Sequence, residues 1–170
     1  ENAQRFNFIT NCPECDSLLV RSEGEASHFC TNDTVCPPQM KGKIEHFIGR
    51  KAMNIDGLGA ETVQLLFDKN LVKTPADLYD LHFDDLLKLD RMGERSANKL
   101  LIGLRDSSAV PFERVLFALG IRYVGETVAK KLAKHFASLE RIMLAEELEL
   151  TTVDEIGERI AQSVYHYFRN

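Results

Sequence analysis

The chain has 170 residues, 44% hydrophobic and 28% charged, with 21 basic against 26 acidic side chains and a formal net charge of −5. That composition excludes a mainly disordered chain. The longest nearly apolar run, Val115 to Ile121, is far short of the ~20 residues a membrane helix needs. An acidic chain advertises nucleic-acid binding weakly, so any such role must rest on local charge and backbone chemistry.

The first residues, Glu1-Asn2-Ala3-Gln4-Arg5, lack the basic-then-apolar layout of a signal peptide. They also lack an initiator Met, so the sequence reads as a piece of a longer chain. All four cysteines follow within 36 residues: Cys12, Cys15, Cys30 and Cys36, spaced C-x2-C and C-x5-C. Two close pairs on separate turns bring four thiolates to the corners of one tetrahedron, as a closed structural Zn2+ site requires. Ser17-Leu18-Leu19-Val20-Arg21 and Ala26-Ser27-His28-Phe29 read as two short strands joined around Gly24. About 36 residues bury too little core to fold unaided, so a metal would carry much of the stability. Disulfides and free buried thiols are the alternatives; nothing suggests secretion, and a reducing compartment disfavours disulfides. Four thiolates leave no open position for a catalytic water.

Met40, Ile44, Phe47 and Ile48 fall on one helical face, so residues 38–52 read as a connecting helix weakened by Gly42 and Gly49. The chain then repeats itself. Ile55-Asp56-Gly57-Leu58-Gly59, Leu89-Asp90-Arg91-Met92-Gly93, Ile121-Arg122-Tyr123-Val124-Gly125 and Val153-Asp154-Glu155-Ile156-Gly157 match, and their final glycines lie 34, 32 and 32 residues apart. Apolar residues recur four, seven and eight positions later, the pattern of one helix face: Val63, Leu66 and Phe67; Ala97, Leu100 and Leu101; Ala129, Leu132 and Ala133; Ala161, Val164 and Tyr165. Amphipathic segments precede the turns: Phe83, Leu86 and Leu87 the second, Phe112, Val115, Leu116 and Leu119 the third, Leu144 and Leu148 the fourth. Each unit reads helix, tight turn, helix. The expected architecture is mainly α: a small four-cysteine, zinc-binding β-hairpin module (1–37), the connecting helix (38–52), and a compact domain of four repeats (53–170) centred near 57–59, 91–93, 123–125 and 155–157.

These four motifs resemble the helix-hairpin-helix family of non-sequence-specific DNA binders. The chemistry is sound, because a glycine turn leading straight into a helix exposes backbone N–H groups that, with the helix dipole, favour an anion. Basic side chains lie beside the second and third turns, with local balances of +3 over residues 88–105 and +3 over 122–134. The candidate DNA-binding residues are Gly57, Gly59, Arg91, Gly93, Arg95, Lys99, Arg122, Gly125, Thr127, Lys130 and Lys131. Glu155 and Glu158 flank Gly157, so the fourth repeat is expected to pack helices rather than hold phosphate. Each basic run also reads as an ordinary solvated helix face.

The resemblance becomes closer at Cys36-Pro37-Pro38-Gln39, His46-Phe47, Arg50-Lys51-Ala52-Met53, Asp77-Leu78-Tyr79-Asp80-Leu81 and Leu119-Gly120-Ile121-Arg122-Tyr123-Val124-Gly125-Glu126. These runs look like the zinc-finger and helical segment of bacterial NAD+-dependent DNA ligases. The resemblance implies a monomeric, cytoplasmic, nucleoid-associated segment that holds nicked or intact duplex DNA from the minor-groove side during replication and repair. Its zinc would be structural, and NAD+ and Mg2+ would serve the parent enzyme elsewhere. It also implies partner domains, adenylation and oligonucleotide-fold, in the same parent chain. The family's K-x-D-G lysine motif is absent from this sequence, so the segment alone is expected to be inactive. A stand-alone repair or recombination accessory protein and a zinc-stabilised protein-interaction scaffold are the other readings.

Overall fold

The computed structural model describes residues 8–169 apart from Ser22 and Glu25. The N-terminal run Glu1-Asn2-Ala3-Gln4-Arg5 lies outside the described residues. The chain divides into two compact units, Glu1–Gly42 and Lys43–Asn170. No helix among the described residues is long and apolar enough to cross a membrane.

The first unit contains a two-stranded antiparallel sheet, β1 (Leu19–Val20) against β2 (Phe29–Cys30). The register pairs Leu19 with Cys30 and Val20 with Phe29. Side chains alternate across a sheet, so Leu19 and Cys30 share one face, while Val20 and Phe29 share the other and are exposed. Among the described residues of this unit, Cys12 and Cys36 are the only buried side chains. The cysteines are its core.

Helix α1 (Pro37–Ile48) begins in the first unit and ends in the second. Proline is tolerated in a helix's first turn, where its missing N–H would have no partner. The helix stops at Ile48, short of the 38–52 span expected from periodicity. There Gly49 and Ala52 enter tight turns, with Gly49 N donating to His46 O and Ala52 N to Gly49 O.

The second unit continues with α2 (Ala60–Asp68), a 3-10 turn (Ala76–Asp80), α3 (Phe83–Leu86), α4 (Glu94–Ser107) and α5 (Phe112–Ala118). It ends with α6 (Glu126–Phe136), α7 (Leu139–Leu144), α8 (Glu147–Thr151) and α9 (Glu158–Tyr167). The repeat seen in sequence is a repeat in burial. Ile55, Leu89, Ile121 and Val153 open the motifs, and all four are buried. Val63, Ala97, Ala129 and Ala161 are buried four residues after the final glycine, and Leu66, Leu100, Leu132 and Val164 seven residues after it.

Two clusters form the core. The first unites Ile44, Ile48, Leu58, Leu66, Leu86, Leu100 and their neighbours around the first two hairpins. The second unites Leu116, Val124, Leu132, Phe136, Leu150 and Ile156 around the last two. His46 joins the halves: its Nε2 lies 2.7 Å from the Phe117 carbonyl oxygen, which must accept, and its ring packs edge-on to Phe117.

One expectation fails. Leu144 and Leu148, assigned to the buried face ahead of the fourth turn, are 79% and 81% exposed. The chain turns extended at Ala145, separating α7 from α8. Ile142, Ala145 and Leu150 fill the core instead.

Backbone contact between the first hairpin and α4 is unusually close. A Cβ on Gly103 would sit 2.3 Å from the Asp56 carbonyl oxygen, and one on Gly57 3.2 Å from the Leu100 backbone. In an exposed helix, Gly→Ala stabilises by about 1 kcal/mol. Here the sign reverses: Gly103→Ala is expected to cost about 1–3 kcal/mol from overpacking, read as a lowered thermal midpoint. A midpoint equal to or above that of the parent chain contradicts this packing.

Candidate metal centre and nucleic-acid interface

The four cysteine Sγ atoms lie within 4.8 Å of one another. Cys12 and Cys36 are 3.9 Å apart at sulfur and Cys15 and Cys30 are 3.5 Å apart. A sulfur–sulfur bond is about 2.05 Å, and no disulfide links these thiols. Four sulfurs each about 2.3 Å from a tetrahedral zinc are separated by about 3.8 Å. The cluster therefore has the donor type, number and spacing to coordinate such an ion.

Local turns place the donors. Asp16, in the left-handed region at φ 57°, reverses the chain so that its N–H donates to Cys12 O, and Cys12 N donates to Ser17 O. Cys36 N donates to Asn32 O. The thiols differ in acidity: the Ser17 hydroxyl and N–H pull Cys15 down to about 6, while burial pushes Cys36 up to about 12. A divalent cation offsets that difference, because a coordinated thiol is deprotonated outright. His28 stacks on Phe8 with ring centroids 5.7 Å apart and is not part of the sulfur cluster.

The hairpin turns share one backbone device. The residue two positions before each final glycine lies at positive φ: Gly57 at 85°, Arg91 at 63°, Tyr123 at 67° and Glu155 at 62°. The three side-chain-bearing residues keep the conformation that glycine holds in the first turn. Each carries a cost of about 1 kcal/mol for doing so. Bonds from Met92 N to Leu89 O, Val124 N to Ile121 O and Ile156 N to Val153 O close the last three turns.

The final glycines Gly59, Gly93, Gly125 and Gly157 are each the N-cap of the next helix, in extended backbone and with no side-chain cap. In contrast, Ser138 caps α7 through its hydroxyl. All four glycines are exposed, and a Cβ on any of them would meet nothing within 4 Å. The first amides of these four helices thus have no side-chain cap, the arrangement in which an anion is favoured. Gly57 is different: its amide donates to Asp56 Oδ1, and its Cα faces α4.

The basic candidates separate by partner. Arg91, Arg95 and Lys130 are exposed, and no acidic partner holds them among the described residues. Lys99 lies 3.2 Å from Asp56. Lys131 reaches across to the fourth turn, 2.8 Å from Asp154 and 2.9 Å from Glu155. Hydrogen bonds to these carboxylates hold the Lys131 ammonium above its ordinary pKa, and the bond to Lys131 holds Asp154 below the usual carboxylate range. Lys51 pairs with Glu126 in the first turn of α6 at 2.6 Å. Thr127 is exposed in that same turn. The Arg122 guanidinium lies 5.0 Å from the Tyr123 ring centroid, and Arg159 lies 4.2 Å from it. In sequence Tyr123 stands where the first repeat has Gly57, and Arg159 is the basic residue beside Glu155 and Glu158, but nothing there brings the two together.

Fold and site together define a cysteine-clustered finger followed by tandem helix-hairpin-helix pairs. Three family models agree: an NAD-dependent DNA ligase C4 zinc finger domain over residues 11–37, a SAM-like helix-hairpin-helix tandem over 50–106, and a helix-hairpin-helix motif over 114–170. The chain is 58% identical over 167 residues to a DNA ligase of Bacteroides fragilis, covering 98% of this chain and 25% of that protein. It is 60% identical over 166 residues to a DNA ligase of Phocaeicola vulgatus, covering 98% and 25%. The same identity holds over 161 residues of a DNA ligase of Christiangramia forsetii, covering 95% and 24%. The chain matches the zinc-finger and helix-hairpin-helix segment of bacterial NAD-dependent DNA ligases, and it spans about a quarter of the length of the curated relatives it matches.

With the cysteines as the finger's core, Cys36→Ser or a strong chelator should unfold residues 8–42 and leave the helical unit intact. Amide resonances would collapse in the first unit alone, with far-UV circular dichroism nearly unchanged. Affinity for Zn2+ should fall as pH drops, because the ion must displace protons from the thiols. Metal-independent order in the finger contradicts this account.

Proposed function

We propose that this chain is the non-catalytic, DNA-holding segment of an NAD+-dependent DNA ligase, with Cys12, Cys15, Cys30 and Cys36 ligating a structural zinc ion. The observation that carries the DNA reading is the repeated glycine N-cap: helix starts with open amides, each aimed where a backbone phosphate can approach. This explains how a chain of net charge −5 can hold a polyanion, since amide donors are absent from the charge count. Arg91, Arg95 and Lys130, beside these turns and without acidic partners among the described residues, supply the electrostatic attraction. Duplex backbone approached from the minor-groove side suits a row of hairpins that reads no bases. In this reading NAD+, Mg2+ and the lysine that carries the adenylyl group belong to other parts of a longer chain, with adenylation and oligonucleotide-fold domains as its neighbours. Nick sealing in replication and repair is the activity of that whole enzyme.

A protein-docking role has one observation in its favour: the exposure of Leu144 and Leu148 beside the acidic α7–α8 corner. That corner is unsuited to phosphate.

The amide reading makes stability and binding move in opposite directions. Gly125 sits at φ −82°, ψ 178° with open space at its Cβ position, a conformation in which Asp caps a helix. Gly125→Asp should leave the thermal midpoint unchanged or raise it while lowering duplex affinity about tenfold or more, because its carboxylate covers the phosphate donors. Fluorescence anisotropy on nicked duplex measures this, and unchanged affinity sinks the amide site. In the same assay Arg95→Gln with Lys130→Gln should reduce the slope of log K against log [salt] by about 1.8, at about 0.9 per phosphate neutralised. An unaltered slope removes these side chains from the interface.

A further inference from the structure

We propose that the corner between α7 and α8 docks a short, basic, amphipathic helix of a separate protein, with Leu144 and Leu148 as apolar anchors and Glu140, Glu147 and Glu149 as an acidic rim. The site is distinct from the hairpin turns and takes no part in holding DNA.

The corner presents apolar side chains that belong to neither core cluster. Leu144 is 79% exposed, Leu148 81% and Met143 44%. They fall within six residues of chain, whereas apolar residues on a surface are ordinarily scattered singly. The backbone that carries them is well anchored. Ser138 caps α7, and the extended Ala145 is buried in one cluster with Ile142 and Leu150. Those three residues fill the core, and Leu144 and Leu148 stay outside it. A partner thus meets a preformed surface and bears little ordering cost on the side of this chain.

Charge identifies the occupant. Residues 139–151 hold four acids, Glu140, Glu146, Glu147 and Glu149, against one base, Arg141. Arg169 engages Glu146 at 3.3 Å. Glu140, Glu147 and Glu149 form no ion pair among the described residues. Such a rim repels nucleic acid and anionic lipid. It also disfavours a second copy of this chain, because a two-fold dimer would set the acidic corner against itself. Lysine and arginine suit it, since their stems lie along leucine while their charged heads reach the carboxylates. Size narrows the choice further. A stable interface between folded proteins engages about 20–30 residues a side. Met143, Leu144, Leu148 and the three glutamates match instead one helix with apolar residues three and four apart.

The probe is a displayed library of short random peptides, selected on this chain. Selected peptides are expected to carry an apolar stripe and an excess of Lys and Arg, and to shift amide resonances of residues 139–151. Anisotropy of labelled copies gives their affinity. Leu144→Gln with Leu148→Gln, which keeps helix propensity, should weaken them about tenfold or more at an unchanged thermal midpoint. Glu147→Gln with Glu149→Gln should weaken them about threefold at low salt and hardly at high salt, where exposed charges are screened. The leucine variant should bind nicked duplex as the parent chain does.

Four results overturn the proposal. One is a selection that yields no peptide sensitive to the two leucines. Another is a set of selected peptides that are acidic or uncharged. A third is loss of duplex affinity in the leucine variant, which would place the corner in the DNA interface. The fourth is failure of the selected peptides to bind the intact parent ligase, which would mean that a segment of that longer chain already covers the corner. A failed selection leaves the DNA reading standing, because Gly125→Asp tests that reading separately.

Discussion

Each hairpin depends on a single backbone reversal, a residue at positive φ two positions before a glycine that begins the next helix. The glycine that begins the next helix has no side chain with which to cap it. The residues four and seven beyond the glycine join the same buried cluster as the residue that opens the motif. That is why the turn conformation persists at Arg91, Tyr123 and Glu155, where side chains make it costly. Relaxing any of them to an ordinary conformation would undo the buried pattern on both sides.

Charge in the second hairpin pair is spent mainly inside the molecule. Lys51 faces Glu126, and Lys131 faces Asp154 and Glu155, so the acidic fourth turn is balanced by a lysine from the third hairpin's own helix. Exposed pairs of this kind add little stability. Their effect is on the external field: the excess acid of residues 138–170 is partly neutralised where the two hairpins meet. In the first pair the backbones themselves come close. The approach of Gly103 to Asp56, and of Gly57 to the Leu100 backbone, locks its first turn against α4. The two glycines of the first motif therefore have separate tasks. Gly57 permits close packing, and Gly59 leaves a helix start open.

Much of this was legible in sequence because periodicity and spacing are local. The apolar positions after each glycine point inward as their 3.6-residue period requires, and the C-x2-C and C-x5-C spacing does bring four sulfurs together. Leu144 and Leu148 show the limit. Their spacing suits one helix face, but the chain breaks at Ala145, and a break between two short helices leaves no mark in hydrophobic period. The partners of Lys131 and Tyr123 were equally hidden, because Asp154 and Arg159 lie 23 and 36 residues away.

The sequence by itself determined the module order, the cysteine cluster, the four-fold repeat and the inward face of each hairpin helix. These follow from residue type and spacing along one element, which act before the chain has folded. Tertiary structure decided which charges stay available to a partner, which glycine serves packing rather than exposure, and which aromatic ring carries two guanidiniums. Those outcomes depend on distances of a few ångströms between elements far apart in the chain. Such distances are set only when the two cores close.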